Sequence, residues 1–271
     1  MGEEQVLAVT KLVNWMFAKP VLALFALLHV KPASAEYPIP NFFAMELVVF
    51  AFAIVFFLWL RARMSAERPG ATQQCMEFVL TNPMGLGVKD LIDDIVGHDA
   101  ERHIPLLGAI GVFILFCNLA ALVPGFMSPT AEVTVPLGCA VVVFLYYNYF
   151  GIKHHGPANY GKTLLGPVPA ISPLMALVET ISHFARLLSL TVRLWANMMV
   201  GEMIYVAFLG LTVGLFAVLS HWNPIGYLSG IVPIGIPFAL IIFHVFEAIL
   251  QAFIFTILAT VYLGLAVAEE H

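Results

Sequence analysis

Apolar runs of about 20 residues recur along the chain, each long enough to cross a hydrocarbon core of roughly 30 Å. The first runs from Phe42 to Leu60, FFAMELVVFAFAIVFFLWL, and is closed by Arg61, Arg63, Arg68 and then Pro69-Gly70. A second, Ile104 to Val123, stops at Pro124-Gly125. A third, Val133 to Phe150, leads into the polar loop GIKHHGPANYGK and the proline-punctuated GPVPAISP. From Leu174 to Leu219 there is no proline at all. At 1.5 Å per residue that stretch predicts roughly 70 Å of helix, over twice a bilayer core. After the turn-rich HWNPIGYLSGIVPIGIP, a last helix is expected from Phe238 to Val267. The pattern predicts an all-α, polytopic transmembrane protein with about five membrane helices. The penultimate one is very long and strongly tilted, and forms a hairpin with the last.

Other segments follow different rules. Within residues 71–103, Val88, Leu91, Ile92, Ile95 and Val96 recur at helical spacing with Lys89, Asp90, Asp93 and Asp94 between them. That is an amphipathic helix suited to the membrane surface. Near the N-terminus, KPVLALFALLHVKPASA has the basic residue, apolar run and Ala-Ser-Ala of a secretory signal. Lys31-Pro32 interrupts the run, so a short peripheral or half-buried helix is the better expectation. Residues 1–40 are then a peripheral N-terminal segment, followed by a transmembrane channel domain over 41–271.

Charge fixes the orientation. Segment 61–103 holds Arg61, Arg63, Arg68, Lys89 and Arg102, and loop 151–167 holds Lys153 and Lys162, whereas loops 124–132 and 220–237 hold no Lys or Arg. Basic loops stay on the cytoplasmic side. One crossing between residues 174 and 219 gives an outside N-terminus and a cytoplasmic C-terminus. Two crossings would put the uncharged 220–237 loop on the basic side, so a single long helix is expected. Composition excludes a soluble domain: 61% of residues are hydrophobic and 11% charged, against roughly 25% charged in soluble proteins. The net charge of −5 says little, because loop charges here set topology rather than attract nucleic acid. Cys75, Cys117 and Cys139 have no paired spacing and read as apolar filler. No cofactor is expected.

Polar residues inside the long helix form a stripe. With Arg193 at zero and 100° per residue, Arg186 falls at about +20°, Ser182 at about −20°, Glu179 and Asn197 at about +40°, and Ser189 at about −40°. His183 lies at the margin, about +80°, and Glu202 at about 180°, roughly 13 Å along the axis. In the last helix His244, Glu247 and Gln251 share a face, with Tyr262 in line with Gln251. Ionisable residues at membrane depth cost a few kcal/mol or more, so each needs a reason. For Glu179, Ser182 and Arg186 two accounts stand open: mutual packing, with Arg186 paired to Glu179 two turns away, or part of an ion path. Arg193 differs, because no acid lies three or four residues to either side and arginine cannot shed its proton. Its partner is expected on another subunit.

LLSLTVRLWANMMVGE (187–202) and FHVFEAILQAFIFTILATVYL (243–263) resemble the two signature segments of subunit a of the F-type ATP synthase. SPTAEVTVPLG and NYFGIKHHG resemble that family's middle helices, and the likeness covers roughly residues 40 to 270. The resemblance implies a non-catalytic proton-translocating stator subunit beside a rotating proteolipid c-subunit ring, with peripheral-stalk b subunits, in a bacterial inner membrane. Two offset half-channels would serve the ring carboxylates. Arg193 resembles the essential arginine, Glu202 the half-channel acid, and His244 the histidine that interacts with it. Asn197 and Gln251 resemble polar neighbours of the arginine; Glu179, Ser182 and Arg186 resemble the stripe of the cytoplasmic exit path. Glu247 would be a second relay acid. An Asn-x-x-Asp pattern of some members reads NLAAL here, with Asn118 present, Ala121 in place of the acid, and Glu132 as the candidate to compensate.

Three alternatives draw on other residues. A serine protease would use Ser229 of GYLSG with His244 as base, but the sequence offers no oxyanion donors. A metal site could be assembled from His98, Asp99, Glu101 and His103, or from His154-His155, residues that interfacial loops also carry in plain solvated form. A stand-alone proton or ion transporter fits the polar stripe but lacks the internal repeat that many transporters show.

Overall fold

The computed structural model describes residues 7–27, 37–65, 69–81, 87–97, 100–123, 126–163, 172–222 and 231–267. All regular structure among them is helical. In chain order the helices are α1 (Ala8–Leu27), α2 (Asn41–Arg63), α3 (Ala71–Leu80), α4 (Val88–Val96), α5 (Ile104–Ala120), α6 (Thr134–His155), α7 (Pro157–Thr163), α8 (Ser172–Trp222) and α9 (Ile231–Val267), with 3-10 turns at Ala100–Arg102 and Pro129–Ala131. The protein is a polytopic helical membrane protein.

Five helices are long and apolar enough to cross a membrane: Ala8–Leu27, Asn41–Arg63, Thr134–His155, Ser172–Leu215 and Phe238–Val267. The number matches expectation but the membership differs. Helix α1 has 20 residues of sufficient apolar length, where the sequence suggested a shorter peripheral element. Helix α5 stops at Ala120, because the chain turns at residues 121–123 through 3-10-type bonds from Leu122 N–H to the Leu119 carbonyl and from Val123 N–H to that of Ala120. Seventeen residues are left, at the lower limit for spanning.

The expected single long helix is observed. Helix α8 is unbroken over 51 residues, roughly 76 Å at the standard rise. Two segments read as turn or loop are helical instead. Helix α9 begins at Ile231 rather than Phe238; proline in a first turn gives up only an N–H that has no helical acceptor, so Pro233 does not delay the start. The stretch GIKHHGPANYGK is not a loop. It is the end of α6, a break at Gly156, and α7. Gly156 has φ +78°, a conformation glycine adopts without strain. Its N–H donates to the Ile152 carbonyl at 2.9 Å, and Pro157 opens the next helix. Ser229, His98 and Asp99, the 19–35 signal-like segment beyond Leu27, and most of GPVPAISP lie outside the described residues.

The molecule divides into two compact units through which several helices are shared. One comprises Met1–Ala53, Leu115–Glu132 and Ala196–Leu250; the other comprises Ile54–Ile114, Val133–Trp195 and Gln251–His271. In the first, α1 is tied to the start of α2. Val13, Ile39 and Ala44 form a small core, and the Asn14 side chain donates to the Ile39 carbonyl and accepts from its N–H, both at 3.0 Å. In the second, close helix approach depends on glycine. A Cβ at Gly264 on α9 would meet the Ile95 backbone oxygen of α4 at 2.9 Å. This contact seats the apolar edge of the amphipathic helix under α9, with Ile92 fully buried.

Candidate functional site

The site residues fall into two clusters, one in each unit. In the unit containing Ala196–Leu250, the central feature is a cradle at Gly201. A Cβ on that residue would lie 3.0 Å from Glu247 Oε2 and 3.3 Å from His244 Nδ1. The acid and the imidazole therefore converge where α8 has no side chain, so close that a methyl there would displace their ends by a few tenths of an ångström. The next residue, Glu202, is half-buried, and its carboxylate faces the backbone N–H of Ser128. His244 is buried, faces the carbonyl of Asn118, and leaves Nε2 without a hydrogen-bond partner among the described residues.

Asn118 is fully buried and anchors this cluster. Its Nδ2 donates to the Ala248 carbonyl at 3.4 Å, and its Oδ1 accepts from the Thr130 hydroxyl at 2.5 Å. Thr130 is 2.7 Å from the Ser128 hydroxyl, which donates to the Cys117 carbonyl at 3.1 Å. The short turn Pro129–Ala131 is thus bolted to the end of α5 by hydroxyls. Glu132 caps that turn, half-buried, its N–H donating to the Pro129 carbonyl at 3.2 Å. Asn197 is half-buried in the same unit. No described residue forms an ion pair with Glu202 or Glu247.

The second cluster lies in the unit containing Val133–Trp195. Arg186 Nη2 and His183 Nδ1 each stand 3.4 Å from the same oxygen, Oε1 of Glu179. The arginine makes a long hydrogen bond there; the histidine approaches without hydrogen-bond geometry. The Arg186 guanidinium also sits 5.8 Å from the Tyr262 ring centre. The Tyr147 ring lies between those of His183 and Tyr262, at 5.9 and 6.1 Å. Tyr160 of α7 donates to Asn148 Oδ1 at 3.0 Å. Burial pushes its hydroxyl up from the ordinary value, Arg186 pulling the other way and Glu179 adding to the rise, so it stays a neutral donor. Ser182 is half-buried and Gln251 buried in this unit.

Arg193 belongs to neither arrangement. It is half-buried, and among the described residues its one hydrogen bond runs to the Ser189 hydroxyl one turn back at 3.5 Å, the outer limit for such a bond. No described acid pairs with it.

Ser128, Thr130, Tyr147, Tyr160 and Gly201 were missed by the sequence reading. Thr130 lies inside the quoted SPTAEVT, and Gly201 directly precedes Glu202, yet neither residue type signals a site by itself. Only contact with another helix distinguishes them.

Known proteins resemble this chain along most of its length. The family model described as ATP synthase A chain matches residues 43–264. The protein named ATP synthase subunit a of Koribacter versatilis is 38% identical over 262 residues, 97% of each chain. That of Solibacter usitatus is 39% identical over 234 residues, 86% of this chain and 90% of its own. ATP synthase subunit a 3 of Pelobacter propionicus is 30% identical over 258 residues, 95% of this chain and 98% of its own.

Proposed function

The chain belongs to the ATP synthase A chain family, and on that premise we propose that it is the proton-translocating stator subunit of a rotary ATP synthase. Arg193 faces the carboxylates of a rotating proteolipid ring, and the two clusters handle protons before and after each carboxylate passes. The subunit does no chemistry on ATP itself. Its other contacts are peripheral-stalk b subunits and the lipid of a bacterial inner membrane. The N-terminus lies outside and the C-terminus in the cytoplasm, with residues 41–271 forming the channel domain.

One observation carries the proposal: Arg193 is a permanent cation in an apolar helix with no acid of its own among the described residues. Removing a cation from water without an anion is costly, and the cost is relieved when another subunit brings the carboxylate. Arg186, on the same helix, shows the alternative, since its anion is supplied in-house by Glu179. Helix α8 is also the least covered of the five apolar helices: 6% of its apolar window is buried, against 18–33% in the others. A long uncovered helix suits a ring wall. Because α8 is unbroken, helical periodicity keeps Arg193 and Glu202 on opposite faces. A fixed charge on one face and titratable groups on another prevent protons from passing along a single water column.

The test is Arg193→Ala in the assembled complex. The variant is expected to co-purify with a small oligomeric proteolipid but to lose proton-driven ATP synthesis. Near-normal synthesis in that variant would overturn the proposal.

A further inference from the structure

Three histidines on the membrane helices and their margins are placed differently. His103 is buried and satisfied: Nδ1 is 2.8 Å from the Tyr146 hydroxyl, and the ring packs against Phe150 at 4.7 Å. That is how a structural histidine is held. His244 belongs to the Gly201 cradle. Among the described residues the buried Nδ1 of His183 makes no well-aligned hydrogen bond, although a carboxylate oxygen stands 3.4 Å away. Beside it, Tyr147 is 2% exposed, and its hydroxyl likewise makes no well-aligned hydrogen bond among the described residues. Leaving buried polar atoms unpaired is unfavourable, so these two groups call for an account beyond packing.

The chemistry of the neighbours narrows the role. The charged and titratable groups around His183 are Glu179 and Arg186 on α8, Tyr147 on α6, Tyr160 on α7 and Tyr262 on α9. Arginine does not release its proton, and a phenol titrates near 10 in water. Histidine is the side chain whose unperturbed titration falls between about pH 5 and 8. Glu179 already shares Oε1 with Arg186.

We propose that His183 is a proton-carrying residue of the Glu179 cluster, taking up a proton at Nδ1 beside Glu179 Oε1 and releasing it to water. This rests on the stator reading above. The step is a plain proton transfer: an O–H bond of an incoming water-borne proton breaks as the imidazole N–H forms, that N–H then breaks to give the proton to water on the release side, Glu179 balances the imidazolium charge in between, and nothing is oxidised or reduced. Tyr147 packs beside the ring at 5.9 Å, and Arg186 holds the carboxylate in place.

The experiment uses the assembled synthase in liposomes, with ATP synthesis driven by an imposed proton gradient and the pH varied on the release side. The parent rate is expected to show an inflection between about pH 5 and 8. His183→Gln should lower the rate several-fold per assembled complex and erase that inflection. In His183→Ala, added imidazole should restore part of the rate, which it would not do for a residue that only packs. An unchanged profile in His183→Gln, a parent profile with no inflection, or no recovery with imidazole overturns the inference. The parent profile needs no variant, so poor assembly of either one does not protect it. If Arg193→Ala abolishes synthesis while His183→Gln leaves the profile intact, only the role of His183 falls. If Arg193→Ala retains synthesis, the stator reading falls with it.

Discussion

Around Glu179, charges find mates within the chain: Arg186 and His183 close on one carboxylate oxygen, and the guanidinium rests near a tyrosine ring. Around Glu202 the reverse holds. Glu202 and Glu247 have no described cation, and His244 keeps a nitrogen free. The Glu202 cluster is held instead by neutral bonds behind it, the chain from Ser128 through Thr130 and Asn118 to the Ala248 carbonyl. Hydroxyls and an amide fix geometry without setting charge. Ion pairs settle charge, but they tie up the groups that would have to titrate. If the subunit carries protons as proposed, the cluster built on neutral bonds is free to change protonation, whereas the ion-paired one must leave that work to the group that is not fully bonded. Arg193 is the extreme case, a charge with neither kind of support beyond one long bond to Ser189.

The contrast is easiest to break at the two arginines. Arg193→Ala is expected to reduce proton-driven synthesis to background, while Arg186→Ala leaves a measurable fraction, because Arg186 serves a partner inside the subunit. Equal losses in the two would erase the distinction. Next in size, Glu202→Gln should slow proton flux about 10²-fold without preventing assembly, the scale of losing one proton-transfer group. Glu179→Gln should cost less than about tenfold on the same scale. Flux in reconstituted vesicles measures both, and an unchanged rate in Glu202→Gln removes that acid from the path.

Stability effects are smaller and probe the scaffolding. Thr130→Val takes the bridging hydroxyl from between Ser128 and Asn118, leaving both underbonded at a cost of about 1–3 kcal/mol. A lowered thermal midpoint in detergent is the readout; no change means the hydroxyl chain does not hold the turn. Smallest is Gly201→Ala. The new methyl meets only the movable ends of Glu247 and His244, so the fold should lose less than about 1 kcal/mol. Proton flux should still fall, because those ends are displaced. A flux equal to the parent's would mean that their convergence on Gly201 is incidental.

Much of this was legible in the linear pattern. Apolar length located four of the five long apolar helices, α2, α6, α8 and α9, the absence of proline from Leu174 to Leu219 predicted one long helix, and the 3.6-residue repeat set Arg193 and Glu202 on opposite faces. Each depends on a single element, and a helix has only one period. Where local chemistry was read as a loop, the outcome turned on one residue: Gly156 let the chain turn and Pro157 restarted it as helix. The separation of Arg186 and Glu179 by seven residues was likewise enough to propose their pairing, which is present at 3.4 Å.

The sequence by itself determined the class, most of the spans, the stripe and the isolation of Arg193 from acids near it in the chain, because these follow from composition and helical repeat. Tertiary structure alone decided that His244 and Glu247 meet over Gly201, that Thr130 holds Asn118, and that His183 faces Glu179 without bonding to it while Tyr147 walls it in. Those facts depend on the register between helices far apart in sequence, and register is set by packing, which no single-helix periodicity encodes.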